Sequence, residues 1–396
     1  MALQHDGTAS PRRGRTWEKL KIFAISEGAL WFGALTTALF YGFSDALIAD
    51  FAVDLKTIVL FVWLFVTMLW CAFGVVRHAD SLAEMLGEPY GTLILTLAVI
   101  VIEVSLISAI MVLGENQPTL ARDTMFAVLM IILNAMVGLA LLLGGLRYGE
   151  QHYNLQGAKA FLAVLVPLAV LTLVLPEFTR STERAQFAPV QAVFFAVLTV
   201  VLYGVFLLIQ TVRHRNQFLD PGVPAEARHD PLAPDDTAHE QGHRELLSVP
   251  YHAVLLLLTM LPVVLLSKKL AAFVDFGIET MQAPDAFGGL IVAILVLAPE
   301  GLGALRAARA NRLQRSVNIL LGSALATISL TVPAVLMIGL VTDRSVELGL
   351  NQVDMILLLL TLTVSTLTFT GGRTNILQGA VHLVLFFAFI GLIFNP

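Results

Sequence analysis

Eleven separate stretches of this sequence are apolar for long enough to cross a lipid bilayer. They run near 20–42, 54–76, 91–113, 123–146, 159–176, 188–211, 251–267, 286–305, 316–341, 352–370 and 374–395. A helix of about 20 residues, rising about 1.5 Å per residue, matches the hydrocarbon core. Only helices and closed barrels satisfy their own backbone groups there. The composition agrees, with 57% hydrophobic and 13% charged residues, against about 25% charged in an ordinary globular domain. The expected fold is an all-α polytopic membrane protein of about eleven transmembrane helices, with little chain left for a soluble domain.

Lysines and arginines set the orientation, because cytoplasmic loops carry their excess. With the N-terminus inside, the inner segments hold 17 of them and the outer segments 7. The N-terminus is therefore expected in the cytoplasm and the C-terminus outside. Residues 1–19 are polar, lack a cleavable signal pattern and read as a disordered cytoplasmic tail. Residues 213–248 combine prolines, seven acids and four of the nine histidines without apolar periodicity, which marks a solvated cytoplasmic linker. The single Cys71 lies in an apolar run, so neither a disulfide framework nor a thiolate metal site is available.

Carboxylates inside such spans are the informative residues. An Asp or Glu at the helix centre costs roughly 2.5–3.5 kcal/mol on the lenient insertion scale. Glu103 sits mid-span in VIVIEVSLIS, and Glu300 sits mid-span in LVLAPEGLGA. An offset of 197 superposes the two glutamates and also aligns Tyr90-Gly91 with Phe287-Gly288, Leu93-Ile94 with Leu290-Ile291, and Val99 with Val296. Five crossings separate the third span from the eighth, so the two helices enter the bilayer from opposite sides. That is an inverted repeat, an arrangement that places a transport site near the midplane. The repeats are expected over 54–211 and 251–396, joined by the linker at 212–250, with the 20–42 span as an addition.

Around the two glutamates the sequence offers supporting groups. Pro299 removes a helical N–H, and Gly301 with its neighbours allows close approach or an unwound turn beside Glu300. Thr96 lies one heptad before Glu103 and shares its face. Asn134 is isolated in MIILNAMVG, and Ser323, Thr327 and Thr331 recur every four residues in the ninth span. Carboxylate, hydroxyl, amide and carbonyl oxygens are what a hard cation takes as ligands. Glu27, His252 and His382 are expected to serve packing or the interface.

The strings GEPYGTLIL (87–95), VIEVSLISAIM (101–111), LLLGG (141–145), YGVFLLIQT (203–211), PEGLGAL (299–305), GSALATISLTVP (322–333) and GRTNILQGAVHL (372–383) resemble the ChaA-type cation/proton antiporters of the calcium/cation antiporter superfamily. The resemblance implies an inner-membrane exchanger that moves calcium, sodium or potassium ions against protons, with Glu103 and Glu300 as its paired repeat glutamates. Asn134 matches the amide of the first repeat. The chain departs from the calcium/proton branch where Val99-Ile100 and Val296-Leu297 replace Gly-Asn pairs, and where Gly301 and Ala326 replace a histidine and an amide.

The function expected is secondary antiport by alternating access at Glu103 and Glu300, which bind the cation or the proton. Thr96, Asn134, Pro299, Gly301, Ser323 and Thr327 support the pair. A passive channel with a glutamate-lined pore is the alternative. An intramembrane hydrolase would need a nucleophile beside an activating base, and no such motif accompanies His252 or His382. No cofactor is expected, nor an ATP site, since the chain lacks a Walker-type motif. The expected partners are the lipid bilayer, inorganic cations and protons, with no nucleic acid.

Overall fold

A computed structural model of the chain describes residues 26–43, 52–86, 90–113, 118–182, 185–219, 248–284 and 286–394. The expected tail at 1–19 and residues 220–247 of the linker expected over 212–250 lie outside the described residues; the start of that stretch is ordered, with a turn at Arg215–Gln217 and Phe218 buried, its carbonyl accepting from Asn318 Nδ2 at 2.7 Å. Eleven helices fill the rest: α1 Gly28–Gly42, α2 Leu55–Leu86, α3 Tyr90–Leu113, α4 Leu120–Tyr148, α5 Leu155–Phe178 and α6 Pro189–Arg213. After the linker come α7 Val249–Met281, α8 Ala286–Arg309, α9 Leu313–Thr342, α10 Gln352–Thr368 and α11 Ile376–Phe394. Among the described residues eight of these are long and apolar enough to cross a membrane; α1, α3 and α10 are the others.

Helix ends follow local chemistry. Asp54 accepts the Thr57 N–H at 2.8 Å at the start of α2, and this bond holds its carboxyl below the ordinary range. Asn351 caps α10 in the same way through the Asp354 N–H at 2.9 Å. Between α9 and α10 the chain is extended and buried, and Leu350 donates its N–H to the Leu173 carbonyl at 2.8 Å. One end of the bundle gathers the arginine-rich connections. There Tyr148 and Gln151 bond to the carbonyls of Arg309 and Ala308, and β1 (Gln151–His152) pairs antiparallel with β2 (Arg373–Thr374).

The packing is reciprocal, as two inverted repeats require. Helix α2 lies along α7, the most extensive contact in the molecule. Helix α4 packs on α11 as α9 packs on α6, and α2 meets α8 as α7 meets α3. Helices α4, α8 and α9 are enclosed within the bundle, whereas α6, α7 and α11 present long apolar faces outward. Such faces suit lipid, which is as apolar as the side chains themselves. Close approach at the centre depends on glycine. A Cβ on Gly289 would stand 2.7 Å from the Thr124 nitrogen of α4, so no larger residue fits between α8 and α4.

Four π-helical turns interrupt the described helices, at Val170–Val174 in α5, Ile209–Arg213 in α6, and a pair in α4 and α9 that obeys the symmetry. Helix α4 opens into a π-helical turn over Ile131–Met136, and α9 does so over Thr327–Thr331. These segments begin 196 residues apart, against 197 for the two glutamates. A π turn widens the helix by one residue and frequently marks a functional site.

Candidate carboxylate site at the bundle centre

Helix α9 connects the two glutamates. Ser323 Oγ donates to Glu300 Oε2, and Thr327 Oγ1, one turn further along, donates to Glu103 Oε2 at 3.0 Å. The spacing of four puts both hydroxyls on one face, each reaching a carboxylate on a different repeat. Glu300 is close enough for its charge to act on Glu103, as is the Thr331 hydroxyl, while Glu300 itself feels Asp80 of α2. Glu103 is completely buried, and its Oε1 has no hydrogen-bond partner among the described residues. Glu300 is half-buried. A buried carboxylate oxygen without a donor is costly, so that position calls for a proton or a cation.

Other expected members of the site fall differently. Helix α8 runs unbroken from Ala286 to Arg309 through Pro299, so the expected unwinding beside Glu300 does not occur. The irregular backbone nearest the glutamates lies instead in the π turns of α4 and α9. Gly301 serves close approach. A Cβ there would meet the Met136 Cε at 2.4 Å and its sulfur at 2.8 Å, so Met136, from the π turn of α4, fills the space at Gly301, next to Glu300. Thr96 does share the face of Glu103, but its neighbour is the Tyr203 hydroxyl of α6. Tyr203 is buried and lies within electrostatic reach of Glu300. Its position inside an apolar run gave no sign of this.

Asn134 is turned away from both carboxylates. Its Nδ2 donates to Thr361 Oγ1 at 2.9 Å, and its Oδ1 faces His382 Nδ1 at 3.3 Å. His382 Nε2 in turn lies 2.9 Å from Thr368 Oγ1. Because the amide oxygen only accepts, Nδ1 of His382 carries the hydrogen. This chain ties α4 to α10 and α11, consistent with the packing role expected of His382. Among the described residues no group of three or more His, Cys, Asp or Glu side chains is arranged to hold a metal ion. The oxygens at the centre are two carboxylates and the α9 hydroxyls.

Residues 56–212 and 251–395 both match the sodium/calcium exchanger protein family. The chain belongs to this family. Like its relatives, this exchanger is a secondary transporter with multiple membrane spans, not an enzyme. It is 41% identical over 361 residues to the sodium-potassium/proton antiporter ChaA of Escherichia coli K12, covering 91% of this chain and 94% of that protein. It is 23% identical over 293 residues to a Ca(2+)/H(+) antiporter of Aphanothece halophytica, covering 73% of this chain and 78% of that one. The structure of native YfkE shares the exchanger's fold at a TM-score of 0.70 and 18% identity, covering 93% of this chain and all of that one.

Proposed function

We propose that the chain exchanges cytoplasmic Ca²⁺, Na⁺ or K⁺ for external protons by alternating access at Glu103 and Glu300. The repeats run over 54–211 and 251–396, and the protein sits in a bacterial inner membrane with its N-terminus in the cytoplasm. The observation that carries this reading is the α9 bridge, with Ser323 on Glu300 and Thr327 on Glu103. The relatives named for cation/proton exchange support the same class of activity.

The chemistry follows from the donors. With no cation present, each hydroxyl gives its hydrogen to a carboxylate. When a cation enters, the hydroxyl rotates and offers a lone pair, while the carboxylates supply charge. Proton and cation thus compete for the same oxygens, Glu103 Oε1 foremost among them. Binding of one requires departure of the other, which couples the two fluxes without ATP or a bound cofactor. Thr96 and Tyr203 close the Glu300 side, and Met136 over Gly301 excludes water there.

The decisive experiment is cation-driven proton flux in sealed proteoliposomes with Glu103→Gln and Glu300→Gln. The amide keeps the shape but cannot cycle a proton, so both variants are expected to fold and to lose exchange. Wild-type rates in either well-folded variant would remove that residue from the site. Cation flux that needs no opposing proton movement would identify a channel instead.

A further inference from the structure

A second group of ionisable side chains is enclosed where α1, α2 and α7 meet at the arginine-rich end. Glu27 was expected to reach the membrane interface, but it is only 3% exposed; His78 on α2 is 1% exposed. Arg77 Nη2 donates to Glu27 Oε2 at 2.5 Å, and the Tyr251 hydroxyl of α7 donates to Oε1 at 3.1 Å. His78 Nε2 lies 3.0 Å from the same Glu27 Oε2, and its Nδ1 lies 3.0 Å from Nδ1 of His252 on α7.

His78 Nε2 faces Glu27 Oε2 at 3.0 Å, which only accepts, and Arg77 Nη2 at 3.2 Å, which only donates and is already engaged with Glu27 Oε2. With the shorter contact made, Nε2 carries a hydrogen; in the neutral ring Nδ1 is then an acceptor, and His252 supplies the N–H between the rings. One further proton can join the pair with a single N–H still lying between the two nitrogens. A second extra proton sets N–H against N–H, and the contact opens. The groups acting on His78 are Glu27 from α1, Arg77 from its own helix, and His252 and Tyr251 from α7. Asp80, two residues along α2, is held between the charges of Arg315 and Glu84 and lies within electrostatic reach of Glu300. Helices α3 and α8, also packed on α2, carry Glu103 and Glu300, which are held by the α9 hydroxyls.

We infer that His78 and His252 form a proton-binding site separate from the transport carboxylates, a latch that joins the arginine-rich ends of α2 and α7 and opens in acid. These two helices have the largest contact in the molecule and begin the two repeats. In alternating access, what closes at one end of such a pair opens at the other. Away from this end, the Tyr41 hydroxyl of α1 donates to the Leu265 carbonyl midway along α7 at 2.9 Å, and no comparable pair of titratable groups joins α2 to α7 there among the hydrogen bonds of the described residues. Protonation at one end alone therefore biases the carrier toward one of its two states, a consequence that rests on the antiport reading above.

The test uses the full chain in proteoliposomes, with Na⁺ as the driving ion and pH varied on one side at a time, comparing wild type, His78→Gln and His252→Asn. The Asn variant places a neutral amide where the His252 Nδ1 stood. At alkaline pH both variants are expected within about twofold of wild type. The acid limb should shift by about one pH unit or more, and only when pH changes on the latch side. Backbone hydrogen exchange over 75–84 and 249–256, corrected for intrinsic rates, should show opening in acid in wild type and no such pH dependence in the variants. Superimposable pH profiles, or protection in wild type that ignores pH, would overturn the latch. Absence of Na⁺-driven proton flux in wild type would instead refute the antiport reading, and the exchange measurement would still decide the latch.

Discussion

Thr327→Val tests the α9 bridge most directly. The substitution keeps the β-branched shape and removes one hydroxyl. Among the described residues that hydroxyl donates to Glu103 Oε2, while Oε1 has no hydrogen-bond partner. A hydrogen bond to a charged group contributes about 1.5–3 kcal/mol, and each 1.4 kcal/mol is about tenfold in affinity. On the proposed reading the same hydroxyl also serves as a ligand when the cation is bound. The half-saturating cation concentration should therefore rise by about tenfold to a hundredfold, with the maximal rate less affected. Thr327→Ser, which keeps the oxygen, should lie near wild type. The assay is the fluorescence of a pH-sensitive dye in everted vesicles titrated with Na⁺ and, separately, with Ca²⁺. A wild-type half-saturation point in Thr327→Val would refute the assignment of Thr327 as a ligand-sharing donor.

Other substitutions address the surroundings. Gly301→Val should slow exchange by severalfold, because the flexible Met136 end must swing aside from beside Glu300; Met136→Ala in the same chain should restore part of the rate. Asn134→Ala should reduce thermal stability, measured by detergent melting, by about 1–3 kcal/mol through the unpaired Thr361 and His382, while leaving the ratio of Na⁺ to Ca²⁺ affinity unchanged. Ca²⁺ and Na⁺ should compete at one site when titrated against each other in proton-flux assays. Non-competitive inhibition there would require two sites.

Part of this was legible in the residues. The eleven spans follow from hydropathy, since a helix in lipid must be apolar for its whole length. The glutamate pair stood out because a charge in such a run is rare, and the hydroxyls Ser323 and Thr327 followed from their spacing of four. What escaped was direction. Helix α3 is apolar all round, so no amphipathic stripe says which way Thr96 and Glu103 look. The π turns at Ile131–Met136 and Thr327–Thr331 add a residue to the helical period, which defeats any count based on 3.6. Asn134 lies within one of them, and its amide points to His382 rather than to the glutamates. Asp123 and Asp354, near the starts of their helices, drew no notice as carboxylates within apolar runs. The Glu27 cluster was missed for another reason. Its members come from positions 27, 77–78 and 251–252, and only tertiary packing brings them together.

The hydroxyl bridge also has a kinetic meaning. Ser323, Thr327 and Thr331 all come from α9, in the second repeat, while the corresponding stretch of α4 offers the Met136 thioether and an amide that faces elsewhere. The two-fold relation of the helices is thus not a two-fold relation of the polar groups beside the carboxylates. A carrier whose repeats trade conformations would then meet ions with one coordination sphere on one face of the membrane and a different one on the other. At equal concentrations on both sides the forward and reverse cycles must still balance, so weaker capture on one face is offset by quicker discharge there. Such a carrier behaves as a lopsided turnstile. It can run faster in one direction under opposed gradients of equal size, without any change in where equilibrium lies.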